Sequence, residues 1–287
     1  MYSKTLINKK TIIYICNKLK SNFMKITSFI IISVFVAILF SCKKDPVNST
    51  TTTAGVSCLL TKKVDVTSSY TDSSFYTYNA AKKIIKIVKN SGWSKDTILY
   101  NASGNISAVN AYQNNVLYSS ILYNYTGGNL TTSVKTRGAY TTTTTMTYTS
   151  GSLPSSIVMT TNDPNEQAMS ILNIVWINGN FATGTIDWGF PGMQWEVTVS
   201  NDDKNNLDRF DYPNTGGDFI NYFNKNNMLS ISLINSETDG ANTYPAGTKL
   251  FDYTMTYTTK NEVSTINELA NLFNSQSRTT TCTYLCQ

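Results

Sequence analysis

The feature that most restricts the fold is a unit recurring over about residues 70–266. It is an alternating strand ending in an aromatic, a polar turn usually bearing Asn or Gly, then Leu, Ile or Val opening the next strand. Eight segments carry it: Phe75–Ile84, Leu99–Ile106, Leu122–Leu130, Met146–Leu153, Val175–Phe181, Val199–Leu207, Tyr222–Met228 and Met255–Val263. Their anchors lie 22 to 28 residues apart, with a longer gap only before the last. Asn and Gly supply the positive φ of tight hairpin turns, so each copy reads as two strands and a turn. In Tyr76-x-Tyr78 and Tyr123-x-Tyr125 two rings share one strand face. A lone hairpin cannot bury its apolar face, so neighbours must join into an antiparallel meander. Eight hairpins imply about 16 strands, beyond the ~10 an open twisted sheet holds before curling or splitting. The expected fold is therefore all-β, a strongly curved sheet or partial barrel. One short C-terminal helix is expected over 264–273, where Ile266, Leu269, Ala270 and Phe273 share a helical face.

The unit Tyr-x-Tyr-Asn-x-x-Gly-x-Leu/Ile resembles the YD repeat and the YD-like lipoproteins of Bacteroidetes. The likeness is degenerate, with Asn or Thr where that repeat carries Asp and several turns without Gly. It implies a β-hairpin fold and no particular activity.

Upstream of the repeat the chain carries an address. Met24-Lys25 precedes an apolar run from Ile26 to Phe40 and then Ser41-Cys42. A basic start, an apolar core and a small residue before the break form a secretory signal. The run falls short of the ~20 residues that cross a bilayer as a helix. Leu39-Phe40-Ser41-Cys42 resembles the lipobox of bacterial lipoproteins, apart from the bulky Phe40. That resemblance implies cleavage before Cys42 and a diacylglycerol on its sulfur. The expected organisation is a removed signal peptide over 1–41, with 1–23 an extended n-region or a start upstream of the true Met24. A lipidated Cys42 and a flexible Ser/Thr-rich tether follow over 42–57, then a single all-β domain over 58–287. The expected location is the cell envelope, as an outer-membrane lipoprotein either periplasmic or surface-exposed. The Cys-Lys-Lys-Asp start at Cys42 resembles those of surface-exported Bacteroidetes lipoproteins.

Processing would change the electrostatics. Six of the 23 basic residues lie in 1–41 with no acid, leaving 17 against 18 acids and a net charge of −1 in place of +5. Nucleic acid is thus not an expected partner. The chain has no histidine. Ser-His-Asp and Cys-His catalysis and His-ligated zinc are excluded, while carboxylate-only hydrolysis is not. Nothing in the sequence calls for a metal or cofactor. Export favours a disulfide among Cys58, Cys282 and Cys286. Cys58 with either partner would join first strand to last, and Cys282 with Cys286 is the local alternative.

One stretch departs from the repeat: Asp187-Trp188-Gly189-Phe190-Pro191-Gly192-Met193-Gln194-Trp195-Glu196. Trp188, Phe190 and Trp195 could form an aromatic platform for a sugar or apolar ligand, with Asp187 and Glu196 as polar partners. The plainer reading packs the two Trp rings across a hairpin. Asp187 and Glu196 are also the best carboxylate pair for hydrolysis, with Glu166 and Glu237 as outsiders. Asp202-Asp203-Lys204-Asn205-Asn206-Leu207-Asp208 looks like a calcium loop but lacks its Gly and distal Glu, and is read as a repeat turn. Asp96-Thr97-Ile98 resembles a Bacteroidetes O-glycosylation acceptor. The leading expectation is a non-enzymatic envelope lipoprotein with a binding or structural surface, its partners the membrane through Cys42 and a glycan or envelope protein. The alternatives are ligand binding at the Trp188/Trp195 platform and lipid carriage in a half-barrel.

Overall fold

Alternation of period two dominates the chain, and it sorts into strands that close on themselves. The structure, a computed structural model, describes residues 58–89, 92–190, 192–207, 212–213, 216–239, 242–270 and 276–286. Residues 1–57, with the expected signal peptide, Cys42 and tether, lie outside the described residues. The strands in chain order are β1 (Cys58–Val66), β2 (Thr71–Tyr78), β3 (Ile84–Lys89), β4 (Ser94–Tyr100), β5 (Ile106–Gln113) and β6 (Val116–Thr126). Then come β7 (Asn129–Arg137), β8 (Tyr140–Thr147), β9 (Ser156–Thr161), β10 (Met169–Ile177), β11 (Asn180–Asp187) and β12 (Gln194–Asn205). After a helix, α1 (Gly216–Phe223), follow β13 (Asn226–Leu233), β14 (Glu237–Thr238), β15 (Thr243–Tyr244), β16 (Lys249–Tyr257), β17 (Val263–Ala270) and β18 (Gln276–Cys286). Sixteen strands form one closed antiparallel barrel, and β14 and β15 make a separate small hairpin. The all-β curved sheet is thus a full barrel, closed where β1 pairs with β18 and Cys58 faces Cys286 in register. Those two cysteines form the disulfide. Cys282 lies outside the bridge, buried on β18 opposite Lys63.

Six of the eight repeat copies are hairpins, at β2–β3, β4–β5, β6–β7, β8–β9, β10–β11 and β16–β17. Val199–Leu207 and Tyr222–Met228 are not. β12 runs on through Asn205, Tyr222 and Phe223 are helical, and β12 pairs with β13, so the two segments are arms of one hairpin opened by α1. The turn expected at 202–208 is corrected for the same reason. Seven hairpins and the terminal strands β1 and β18 complete the barrel. The helix expected over 264–273 is corrected over 264–270 to strand β17, paired on both sides with β16 and β18, and 271–273 lie outside the described residues. Barrel closure needs that strand, and a double ladder outweighs a short helical periodicity.

The pleat places the apolar residues inside. Leu60, Ile87, Val109, Ile157, Ile171 and Val197 are each 1% exposed or less. Thr and Ser are the commonest outward residues, as Thr141, Thr143 and Thr145 on β8, Thr183 and Thr185 on β11, and Thr279, Thr281 and Thr283 on β18, with single apolar side chains such as Leu99, Leu122 and Ile177 exposed between them. This accounts for the Thr-rich composition, since a β-branched hydroxyl residue suits a solvated strand face.

The barrel has two unlike ends. Cys58, Cys286 and the turns carrying the repeat lie at one, the disulfide end. There the repeat's aromatics form a latch: Tyr78 Oη donates to Leu60 O at 2.7 Å, Tyr100 to Ile84 O at 2.7 Å, Tyr125 to Ile106 O at 2.9 Å and Tyr148 to Leu130 O at 2.6 Å. Trp176 Nε1 donates to Pro154 O at 2.7 Å, continuing the series. The β12–β13 connection fills the interior. Tyr123 on β6 donates to Pro213 O at 2.6 Å, and five strands separate β6 from β12 in the wall, so this link crosses the inside. Phe219, Ile220 and Phe223 of α1 are buried, Phe223 edge-on to Trp176, and Tyr222 is hydrogen-bonded to Tyr125. Asn224 Oδ1 accepts from Phe181 N, and Asn206 Nδ2 donates to the carbonyls of Asn221 and Asn224. These buried amides hold the connection where local propensity would not.

Candidate functional site

At the end opposite the disulfide the inward face turns polar, which an apolar core cannot accept unless the charges are paired. Counting inward by twos from Ile87 on β3 gives Lys89; from Ile98 on β4, Asp96; from Ser133 on β7, Lys135 and then Arg137. Each charge has a partner. Lys89 Nζ stands 2.9 Å from an Asp96 carboxylate that is almost fully buried, and Lys135 Nζ donates to Glu166 at 2.6 Å. Arg137 pairs with Asp163, and Thr142 Oγ1 donates to the second oxygen of Glu166. Asp163 and Glu166 sit in the loop between β9 and β10, so that loop bends over β8 to reach β7. Burial pushes the Glu166 carboxyl up, but hydrogen bonds from Lys135 and Thr142 hold it below the usual carboxylate range. For Asp163 burial is likewise outweighed, by bonds from Asn165 and Arg137.

Of these residues Lys89, Asp96 and Lys135 line a cavity of about 170 Å³, open at the mouth. Its walls include Lys89, Asp96, Gln113, Ser119 and Lys135, with Val109 and Ile121 deeper, and Tyr212 from the interior connection also lines it. Tyr118 stands at the opening, 41% exposed, accepting a 2.7 Å hydrogen bond from Arg137 Nη1, whose guanidinium lies over the ring. Around this mouth the loops and strand ends expose large apolar side chains, among them Tyr70, Trp93, Val116, Tyr140 and Phe190. The arrangement can bind a small polar molecule between paired charges and tyrosine rings.

Of the platform and hydrolysis candidates singled out by sequence, Glu166 and Phe190 lie at this mouth, and none lines the cavity. Trp188 and Trp195 pack edge to face, centroids 6.3 Å apart, at the β11–β12 turn. Trp195 is 0% exposed, so the two-ring platform is corrected: that ring belongs to the core, with Tyr244 also against it. Phe190 alone of the three is well exposed. Asp187 and Glu196 face outward on neighbouring strands but not opposite each other, since Asp187 pairs with Gln194 and Glu196 with Thr185. Asp187 accepts from Gly189 N and Glu196 from Asn235 Nδ2. Of the outsiders, Glu166 belongs to the mouth and Glu237 to the small hairpin. Asp202 is a structural acceptor, receiving Asn227 N, Asn227 Nδ2, Lys204 N and the Tyr257 phenol. Among the described residues no group of Asp, Glu and Cys is arranged to hold a metal. Asp96-Thr97-Ile98 is part of β4 with Asp96 buried. Sequence reasoning missed the mouth, although Lys135 and Arg137, two apart in a Thr/Ser-rich strand, were a signal that one face carries charge.

No protein-family model and no curated protein matches the chain. Among solved structures it is similar to a porin-like protein from Bacteroides vulgatus, with TM-score 0.51 and 15% identity over 80% of this chain and 99% of that one. It is also similar to a porin-like protein from Bacteroides uniformis, with TM-score 0.49 and 12% identity over 78% and 96%. The first likeness bears on the fold alone.

Proposed function

We propose that this chain is an exported cell-envelope lipoprotein whose barrel stands in water beside the membrane, held by a lipid on Cys42, with a non-enzymatic binding or structural role. The observation that carries the reading is the direction of the pleat. A transmembrane barrel turns an apolar band ~25 Å tall toward lipid and keeps its interior polar. Here Thr and Ser are the commonest outward strand residues, with scattered apolar ones such as Leu99, Leu122, Val175 and Ile177 between them and no continuous apolar band, while Ile, Leu, Val and Trp fill the inside together with α1. The name of the similar structures invites a pore; the packed interior argues against one. The same packing also speaks against a lipid-carrying half-barrel. The signal-like run, the lipobox-like tetrad and the YD-like repeat support the envelope address, and the missing histidine supports a non-enzymatic role.

Fractionation of cells expressing the wild type and Cys42→Ala tests this. The wild type is expected in membranes until detergent is added, and the variant in the soluble fraction. A variant that stays in membranes through carbonate washing, or purified protein that opens conductance steps in planar bilayers, overturns the proposal.

A further inference from the structure

We propose that the mouth cavity binds a single neutral sugar ring, as a free sugar or the end of a glycan. The inference rests on the cavity and is independent of how the protein is anchored.

Size is the first constraint. At about 170 Å³ the cavity is smaller than the ~300–1,000 Å³ pockets of drug-sized ligands, and has room for one six-membered ring. Charge is the second. Lys89 is paired with Asp96, Lys135 with Glu166 and Arg137 with Asp163, so no cation or anion is left over to neutralise a charged ligand. A bound phosphate or carboxylate would have to break one of these pairs and leave the other member buried, which is costly. A sugar hydroxyl needs no such exchange, because it donates to a carboxylate and accepts from an ammonium at once. Ser94, Ser119 and Gln113 add neutral donors and acceptors along the same wall.

The third constraint is the combination of surfaces. A pyranose has polar hydroxyls on its edge and an apolar C–H face. Val109 and Ile121 offer aliphatic wall, and Tyr118 and Tyr212 offer rings within the same lining. Aromatic bodies with polar tips suit such amphipathic ligands. Tyr118 is placed at the entrance, its hydroxyl held by Arg137, so its ring is pre-oriented before a ligand arrives.

The test uses the protein as isolated from expressing cells, in detergent, on an array of neutral and anionic glycans, followed by calorimetry with the best neutral monosaccharide and with free amino acids. Binding to neutral glycans is expected. Tyr118→Ala should weaken it by about tenfold, the scale of one good contact, and Ser119→Trp, which fills the cavity, should abolish it. Thermal melts of both variants separate lost binding from lost folding. Should Ser119→Trp fail to fold, Tyr118→Ala and Gln113→Ala on the rim carry the same comparison. Absence of neutral binders, preference for anionic glycans or amino acids, or affinities unmoved by folded variants would overturn the proposal.

Discussion

The phenol of Tyr125 donates to the main-chain carbonyl of Ile106 at 2.9 Å, joining the aromatic that ends β6 to the aliphatic residue that opens β5. Tyr100 with Ile84 and Tyr148 with Leu130 repeat this link. In these three repeats the aromatic is therefore tied to the preceding repeat's aliphatic, and both lie on the inward face. The repeating unit is a latch as well as a turn signal, and it gives neighbouring hairpins a fixed register at the disulfide end.

Tyr125→Phe keeps the ring and removes the link. The loss should be about 1–2 kcal/mol, since a partly buried carbonyl is left without that donor. For a domain of this size the melting temperature should fall by ~2–4 °C per kcal/mol. Leu122→Phe, at an exposed position nearby on β6, is the control and should leave the melt almost unmoved. An unshifted melt for Tyr125→Phe would mean the latch adds nothing.

Much of the barrel was legible because its signals are local. Asn and Gly at Asn178-Gly179 and Gly127-Gly128 adopt the positive φ their turns need, and the flanking alternation sets the strands. The link from Tyr125 to Ile106 could not be read, because a two-residue period says that two rings share a face and not what their hydroxyls meet. Nor could α1, whose eight residues are held by Asn206 and Asn224, residues that look like turn formers in the sequence. The site failed for a related reason. Lys135 and Glu166 meet across 31 positions through a loop fold, and no spacing rule connects them. Trp195 drew notice as an aromatic when its importance is depth.

The tyrosines also govern the alkaline limit of stability. Burial first, and the nearby Tyr222 second, push the Tyr100 phenol up to about 12. Tyr125 and Tyr148 are raised in the same sense, again chiefly by burial. An unfolded tyrosine titrates near pH 10. Above that pH the unfolded chain releases protons that the folded barrel retains, so stability falls as pH rises. The contribution is intact below about pH 10 and is lost as pH climbs through about 12. Urea midpoints should decline across that window, phenolate absorbance should appear together with unfolding, and Tyr100→Phe should flatten the decline. Phenolate appearing near pH 10 in a barrel that stays folded would contradict the burial argument.

Gly184 on β11 tests how tightly the interior is filled. A Cβ there would stand 2.9 Å from Phe181 Cε2 and 3.2 Å from Leu172 O, and Phe181 is 0% exposed. Neither the carbonyl nor the enclosed ring has room to retreat. Gly184→Ala should cost about 1–3 kcal/mol by overpacking, despite alanine's advantage in chain entropy. Gly138→Ala is not the right comparison, because that residue has φ 59° and strains any side chain. A denaturation midpoint equal to the wild type would show a looser core than the contacts imply.

Cys58 and Cys286 are separated by 228 positions and pair directly across the seam between the first and last strands. A cross-link over so long a loop restricts the unfolded chain strongly, and such bonds are typically worth ~2–5 kcal/mol. Reduction, or Cys58→Ser with Cys286→Ser, should lower stability by about that amount. The loss should concentrate at the seam, because β1 and β18 are joined there only by ladder hydrogen bonds and by contacts such as Thr280 with Asp65. Amide hydrogen exchange should therefore speed up in β1 and β18 while β8 and β9, in the opposite wall, keep their protection. Cys282→Ser should leave the disulfide intact and exchange at the seam unchanged. Equal exchange with and without the bridge would mean that the barrel is closed by its ladder alone.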